Sequence, residues 1–331
     1  MTTTRHNQGS DNEPRDREAQ QLLLATANRL FGDLCNKRVL EAAEDGEFPV
    51  AAKDSLAEHG FHRLADHDSG FALCDVFAVL QVAGYHALPL PLAEWMLANR
   101  FLPDTEDDFA SIGKLRGTQL LNVPWGREAR RCLGITAEGK VVSATTSDWA
   151  GNYNIAGEAL DSAVSEAHTP ISTSDNIVEL LALSRCAMSV GAMTRLLELV
   201  VEQVTVREQF GRPLARFQVI QHDIARAAGE VAASDKALEC ALAQLESERQ
   251  KDEVALACAR VFEASQIIAD TAHQLFGAMG FTHEHILHHY TRRLWAWRED
   301  YGNERHWQAS LGRSLCAGGP DQLWPFLATE R

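Results

Sequence analysis

Apolar residues recur along this chain at two periods, and the switch between them divides it into three parts. Between residues 19 and 31, Leu22, Leu23, Ala25, Leu30 and Phe31 fall at helical spacing among polar neighbours, which predicts a helix with one buried face. Residues 51–59 read as a second short helix, ended by Gly60. Residues 71–84 and 91–99 are apolar and nearly free of charge, the pattern of buried helices. Near Ser111 the texture changes. Short β-favouring runs at 120–123 and 141–144 are broken by Gly, Asn, Asp and Pro, so a small β domain with room for only a few strands is expected. Beyond residue 173 the helical period returns, carried over 176–207 by Leu180, Leu183, Ala187, Val190, Leu197, Val200, Val201 and Val204. Residues 218–248 and 253–276 continue it with Ala, Leu and Glu, and long helices joined by short turns indicate a bundle. The expected fold class is mainly α, without internal repeats. A disordered tail (1–15) precedes an N-terminal helical domain (16–110), a reduced β domain (111–172) and a C-terminal four-helix bundle (173–331).

Composition narrows the chemistry. With 45% hydrophobic and 23% charged residues the chain is an ordinary globular protein, but its formal net charge is −15. Nucleic acid and anionic membrane surfaces need a basic patch, so neither is expected as a partner. An anionic ligand stays open, because a few local arginines suffice to bind phosphate. The polar start, residues 1–14, lacks the apolar core of a secretory signal, and no segment reads as long and apolar enough to cross a bilayer. Seven scattered cysteines without a CxxC pair fit reduced thiols, and a cytoplasmic location is expected.

Two stretches carry the candidate chemistry. The first is Arg207-Glu-Gln-Phe-Gly-Arg-Pro213, followed by Phe217-Gln218-Val-Ile-Gln-His222. The second is Gln274-Leu-Phe-Gly277-Ala-Met-Gly280-Phe-Thr-His-Glu284-His285, then Leu287-His288 and Tyr290-Thr-Arg-Arg293. In this order on a helical bundle they resemble the C-terminal domain of the acyl-CoA dehydrogenase family, over roughly residues 180–315. Leu56-Ala-Glu-His-Gly60 extends the resemblance weakly into the N-terminal helices. The resemblance implies an FAD-dependent enzyme in which Arg207, Gln209, Phe210, Gln218, Gln274 and Gly277 contact FAD held largely by a neighbouring subunit. The residue types suit that role. Arginine offers a planar fork of donors for a pyrophosphate, and Gly277 and Gly280 allow backbone N–H groups close to a ligand. Taken alone, Arg207 is also what a helix end favours, and the glycines are ordinary turn residues. His283, His285, His288 and His289 lie beside the second motif, but no second cluster of ligands completes a metal site, so none is expected.

The chain also departs from the family. A family member removes an α proton with a glutamate while the flavin takes hydride from the β carbon. At the two positions where that glutamate is found, this chain aligns Tyr301 and Leu181. Glu179, Glu299, Asp300 and Glu304 lie nearby, and Glu299 or Asp300 is the fallback for a displaced base. The Thr-Glu-Pro and Trp-Ile-Thr segments that cradle flavin in the family's middle domain have no counterpart. These losses fit the short, non-catalytic subunit of an α2β2 acyl-CoA dehydrogenase, completing the FAD site of a longer subunit. Such pairs resemble enzymes acting on steroid or bile-acid side-chain CoA esters, with electron-transfer flavoprotein as the implied acceptor. A vacant half-site in this chain is expected to make room for the bulky acyl group. A self-sufficient homo-oligomeric dehydrogenase and a non-enzymatic acyl-CoA-binding or scaffold relative remain as alternatives.

Overall fold

A computed structural model describes residues 13–102, 108–173, 175–245 and 247–328. Five helices come first: α1 (Glu13–Leu34), α2 (Lys37–Glu44), α3 (Val50–Glu58), α4 (Leu73–Tyr85) and α5 (Leu92–Phe101). The expected tail lies outside the described residues as far as residue 12, and Glu13 already begins α1. The helix α2 has no counterpart in the sequence reading. It is eight residues long, and Asn36 starts it by accepting a 3.2 Å bond from the Val39 N–H.

Next come β1 (Ala110–Arg116), β2 (Gln119–Pro124), β3 (Arg131–Ile135), β4 (Val141–Ala150) and β5 (Leu160–Ile171). They close into a barrel in the order β1-β2-β5-β4-β3, sealed by parallel pairing of β1 with β3. Closure removes both sheet edges, so the short β region offers no unpaired strand to another chain. Leu115, Leu120, Val123, Cys132 and Val142 fill its interior.

The chain then enters α6 (Ile177–Val206), a hairpin of β6 (Glu208–Gln209) and β7 (Arg212–Pro213), α7 (Gln218–Ala243) and α8 (Gln250–Phe276). It ends in α9 (Leu287–Asp300), α10 (Glu304–Gly318) and α11 (Pro320–Ala328). One expectation needs correcting. By length and composition α6, alone among the described residues, is apolar enough to cross a membrane, and its 18-residue apolar window is 89% buried within the protein. It is the core helix of the bundle, apolar all round because neighbours cover it all round.

The N-terminal helices are fused to that core by two glycines. A Cβ on Gly84 of α4 would stand 1.9 Å from the Met188 carbonyl oxygen, and one on Gly191 of α6 would stand 1.9 Å from that of Gln81. No side chain fits at either place, so the two helices cross backbone against backbone.

Candidate functional site

The two motifs meet at one exposed edge of the bundle. After α6 the backbone of Arg207 turns extended, and the β6–β7 hairpin reverses the chain through Phe210 and Gly211, both in the left-handed region. Only asparagine, aspartate and glycine enter that region cheaply, so a phenylalanine at φ 54° is held there against its preference. Its ring is 90% exposed, touching Phe217 edge-on at 6.1 Å. The Arg212 guanidinium lies 4.1 Å over the other aromatic, Phe217. Arg207 Nη1 donates to the Phe276 carbonyl at 2.8 Å, bridging the motifs across 69 positions of sequence.

The next residue, Gly277, ends α8 with φ 60° and ψ −139°, a conformation for glycine alone. The side where its Cβ would project is open, with Arg207 Nη1 at 3.7 Å as the nearest neighbour. Gln209, Gln218 and Gln274 are exposed around this corner. Gly280 behaves differently from the expectation. It is buried, and a Cβ there would meet Phe276 at 3.0 Å and Leu287 at 3.2 Å, so it serves packing and its backbone is turned away from solvent. The remaining set fits a dinucleotide pyrophosphate. It offers a guanidinium with donors beyond the one spent on Phe276, an unobstructed glycine backbone and exposed amides. With Gln209, Phe210, Gln218 and Gln274 exposed and Arg207 and Gly277 half-buried behind them, it fits as one wall of a cofactor site.

The two positions aligned with the family's glutamate, Leu181 and Tyr301, are closed in by neighbours. Leu181 is buried in α6. One turn on, Arg185 bonds Glu94 of α5 at 2.5 Å and Asp300 at 2.6 Å. The Tyr301 hydroxyl donates to the same Glu94 oxygen at 2.7 Å, and Lys114 of β1 donates to the Asp300 carbonyl. Burial, and then the Glu94 charge, push the Tyr301 hydroxyl well above its ordinary range, so it stays a proton donor. Burial opposes the Arg185 charge too, but Glu94 and Asp300 more than restore it. Burial raises Asp300 to about 6 against the opposing pull of Arg185. The cavity left beside this cluster is about 40 Å³, lined by Trp125, Met188, Arg293 and Trp297 among others. That is room for water. Ligand pockets hold roughly 300–1,000 Å³.

Each of the nearby carboxylates named from the sequence has a partner within the chain. Glu299 is exposed and accepts from Asn303 at 3.3 Å, and Glu304 pairs with Arg298 at 3.2 Å. Glu179 accepts from Gln250 at 2.8 Å, and Asp300 is tied to Arg185. Sequence reasoning missed Glu94 and Arg185. The available signal was a lone acid in the apolar run 88–99 and a lone base in the apolar run 180–194.

The histidines fold into structure as well. Glu44, His288 and His289 are close enough to share an ion, but Glu44 is already spent. It bonds His289 Nδ1 and Arg293 Nη1, both at 2.7 Å, and also Arg292. Burial works against its charge, yet the His289 bond and the Arg293 charge hold it down at about 2. Two guanidiniums on the one carboxylate make the place hostile to a divalent cation.

Comparisons with known proteins bear on the C-terminal half and on the fold. Residues 175–309 match the family described as acyl-CoA dehydrogenase, C-terminal domain. The chain is 30% identical over 136 residues to acyl-CoA dehydrogenase IpdE2 of Mycolicibacterium smegmatis, covering 40% of this chain and 42% of that protein. The matched segment thus spans about two fifths of that relative's length. Among solved structures, the ChsE4-ChsE5 complex from Mycobacterium tuberculosis aligns with a TM-score of 0.80 at 19% identity, over 90% of this chain and 97% of that one. The Tcur3481-Tcur3483 steroid ACAD aligns with a TM-score of 0.80 at 18% identity, over 92% and 99%. At such identities the two structures show a shared fold.

Proposed function

We propose, on the match of residues 175–309 to the acyl-CoA dehydrogenase C-terminal domain and on the shared fold, that the chain is the non-catalytic subunit of a heteromeric, FAD-dependent acyl-CoA dehydrogenase. One observation carries the reading. Where the base should stand, Tyr301 is locked onto Glu94 beside a cavity of about 40 Å³, while the motif residues at the opposite kind of site, the exposed edge, remain displayed.

In the complex a longer subunit supplies the glutamate base and the flavin cradle. When bound, FAD accepts the hydride from the acyl β carbon. This chain's share is positional. Arg207 offers its fork to the pyrophosphate, Gly277 lets the backbone come close, and Phe210, Gln209, Gln218 and Gln274 cover the cofactor from outside. An electron-transfer flavoprotein is the proposed acceptor.

The acyl group is proposed to be bulky, a steroid or bile-acid side-chain CoA ester, on the likeness to the steroid ACAD pair. The expected vacancy inside this chain is corrected: Tyr301, Arg185, Glu94 and Asp300 fill the space. A bulky substrate must therefore be housed by the longer subunit.

The test is the visible spectrum of this chain purified alone, and again after co-expression with a longer homologue. The reading expects a colourless chain alone and a yellow complex, with about one flavin per pair of chains. A yellow chain alone would refute it and revive Asp300, whose carboxyl at about 6 is the one observation favouring a self-sufficient enzyme.

A further inference from the structure

The five-residue turn after α8, Gly277–Phe281, ends in a phenylalanine that neither the motif reading nor the site above has used. Phe281 is 73% exposed, yet its ring is anchored. It lies on His273 with centroids 4.7 Å apart and planes at 24°, and His273 lies in turn on Trp295 at 5.6 Å and 13°. His273 Nε2 is pinned by the Thr291 hydroxyl at 3.0 Å, and burial lowers its pKa, so the middle of the stack is a neutral, fixed ring. The turn is fastened behind Phe281 by the Thr282 hydroxyl and N–H, both donating to the Met279 carbonyl, at 3.0 and 3.3 Å.

A single exposed apolar side chain means little. A three-deep aromatic stack with one face covered and the last ring presented to solvent is different. Its outermost ring has already lost most of its rotamer freedom, so a planar partner can land on it at little entropic cost. The stack also stands one turn from Gly277 and Gln274, on the edge already fitted to a pyrophosphate.

We infer that Phe281 is the stacking platform for the adenine ring of the shared dinucleotide. This rests on the proposed subunit role. The flavin end of FAD must meet the base, which this chain lacks, so the end within this chain's reach is the one carrying ADP. A base on an aromatic face gains stability whatever its hydrogen-bonding edge, and needs no further polar partner here.

The experiment uses the complex of this chain with its longer partner, stripped of FAD, and titrates it calorimetrically with FAD, ADP and FMN. Phe281→Leu, which keeps an apolar side chain and removes the ring, should raise the dissociation constants of FAD and ADP by about tenfold and leave that of FMN unchanged. Phe281→Tyr should bind all three as wild type does. Unchanged FAD and ADP binding in an assembled Phe281→Leu complex overturns the assignment. So does loss of assembly by light scattering, which would place the ring against the partner's protein surface. A wild-type pair that takes up no FAD removes the subunit reading itself, a different failure from either.

Discussion

The core cluster around Arg185 lies within α6 and the edge around Arg207 begins just past its end, and the two treat an arginine in opposite ways. Arg185 is buried, bonded to two carboxylates and closed over by Tyr301. Arg207 gives one nitrogen to a carbonyl and stands among exposed side chains. The first arrangement pairs its charges internally, with the buried Glu94 Oε2 left without a bond. The second leaves donors, aromatic faces and a strained backbone unspent. Buried charge pairs rarely add stability over apolar residues of the same size, but breaking one is costly, so the first cluster acts as a lock. On the proposed subunit reading, the edge is the part of the site that a longer partner completes.

That contrast can be broken from either side. The largest effect should come from Arg185→Ala, which leaves Glu94 fully buried and unpaired; urea unfolding of the isolated chain should show a loss of about 3–5 kcal/mol. Arg207→Ala should cost the isolated chain only about 1 kcal/mol, the bond to Phe276, yet weaken FAD retention in the complex by about 2–5 kcal/mol. Unchanged flavin content in that mutant complex would remove Arg207 from the site.

A third, smaller effect is in pH. Asp300 ionises near 3.8 when unfolded and near 6 when folded, so the folded state holds the extra proton between those values and stability falls as pH rises through them. Asp300→Asn abolishes the group, and wild type should lose about 1–3 kcal/mol relative to it between pH 4 and 6. A flat difference across that range would show that the carboxylate pays no burial cost. The smallest effect is expected at the hairpin tip. Phe210→Gly relieves the left-handed backbone and should stabilise the isolated chain by roughly 0.5–1 kcal/mol, while flavin retention falls. A destabilised variant would mean the ring supports the fold.

The long helices were legible because their faces repeat: α6 and α8 carry apolar residues through many turns, and single exceptions do not hide the period. The edge was legible too, since Arg207, Gln209, Phe210 and Gln274 sit in local motifs. What stayed hidden depends on partners far away in sequence. The parallel β1–β3 pairing that closes the barrel joins strands with β2 between them, and no local pattern announces it. Arg185 and Glu94, 91 positions apart, explain each other only once the chain between them is folded away. Gly280 has the same residue type as Gly277 three positions earlier, and only packing against Phe276 and Leu287 separates a structural glycine from one open to a ligand. The short α2 depends on a cap and on burial of Leu40 and Ala43, too few residues to show a period.

The clasp on Glu44 has a consequence for the order of events during synthesis. The residues that neutralise this acid, His289, Arg292 and Arg293, follow it by 245 to 249 positions. At typical elongation rates the ribosome needs roughly 10–50 s to deliver them. Through that interval the second helix carries a carboxylate with no cation to receive it, and the first part of the chain waits for the last quarter before it can close.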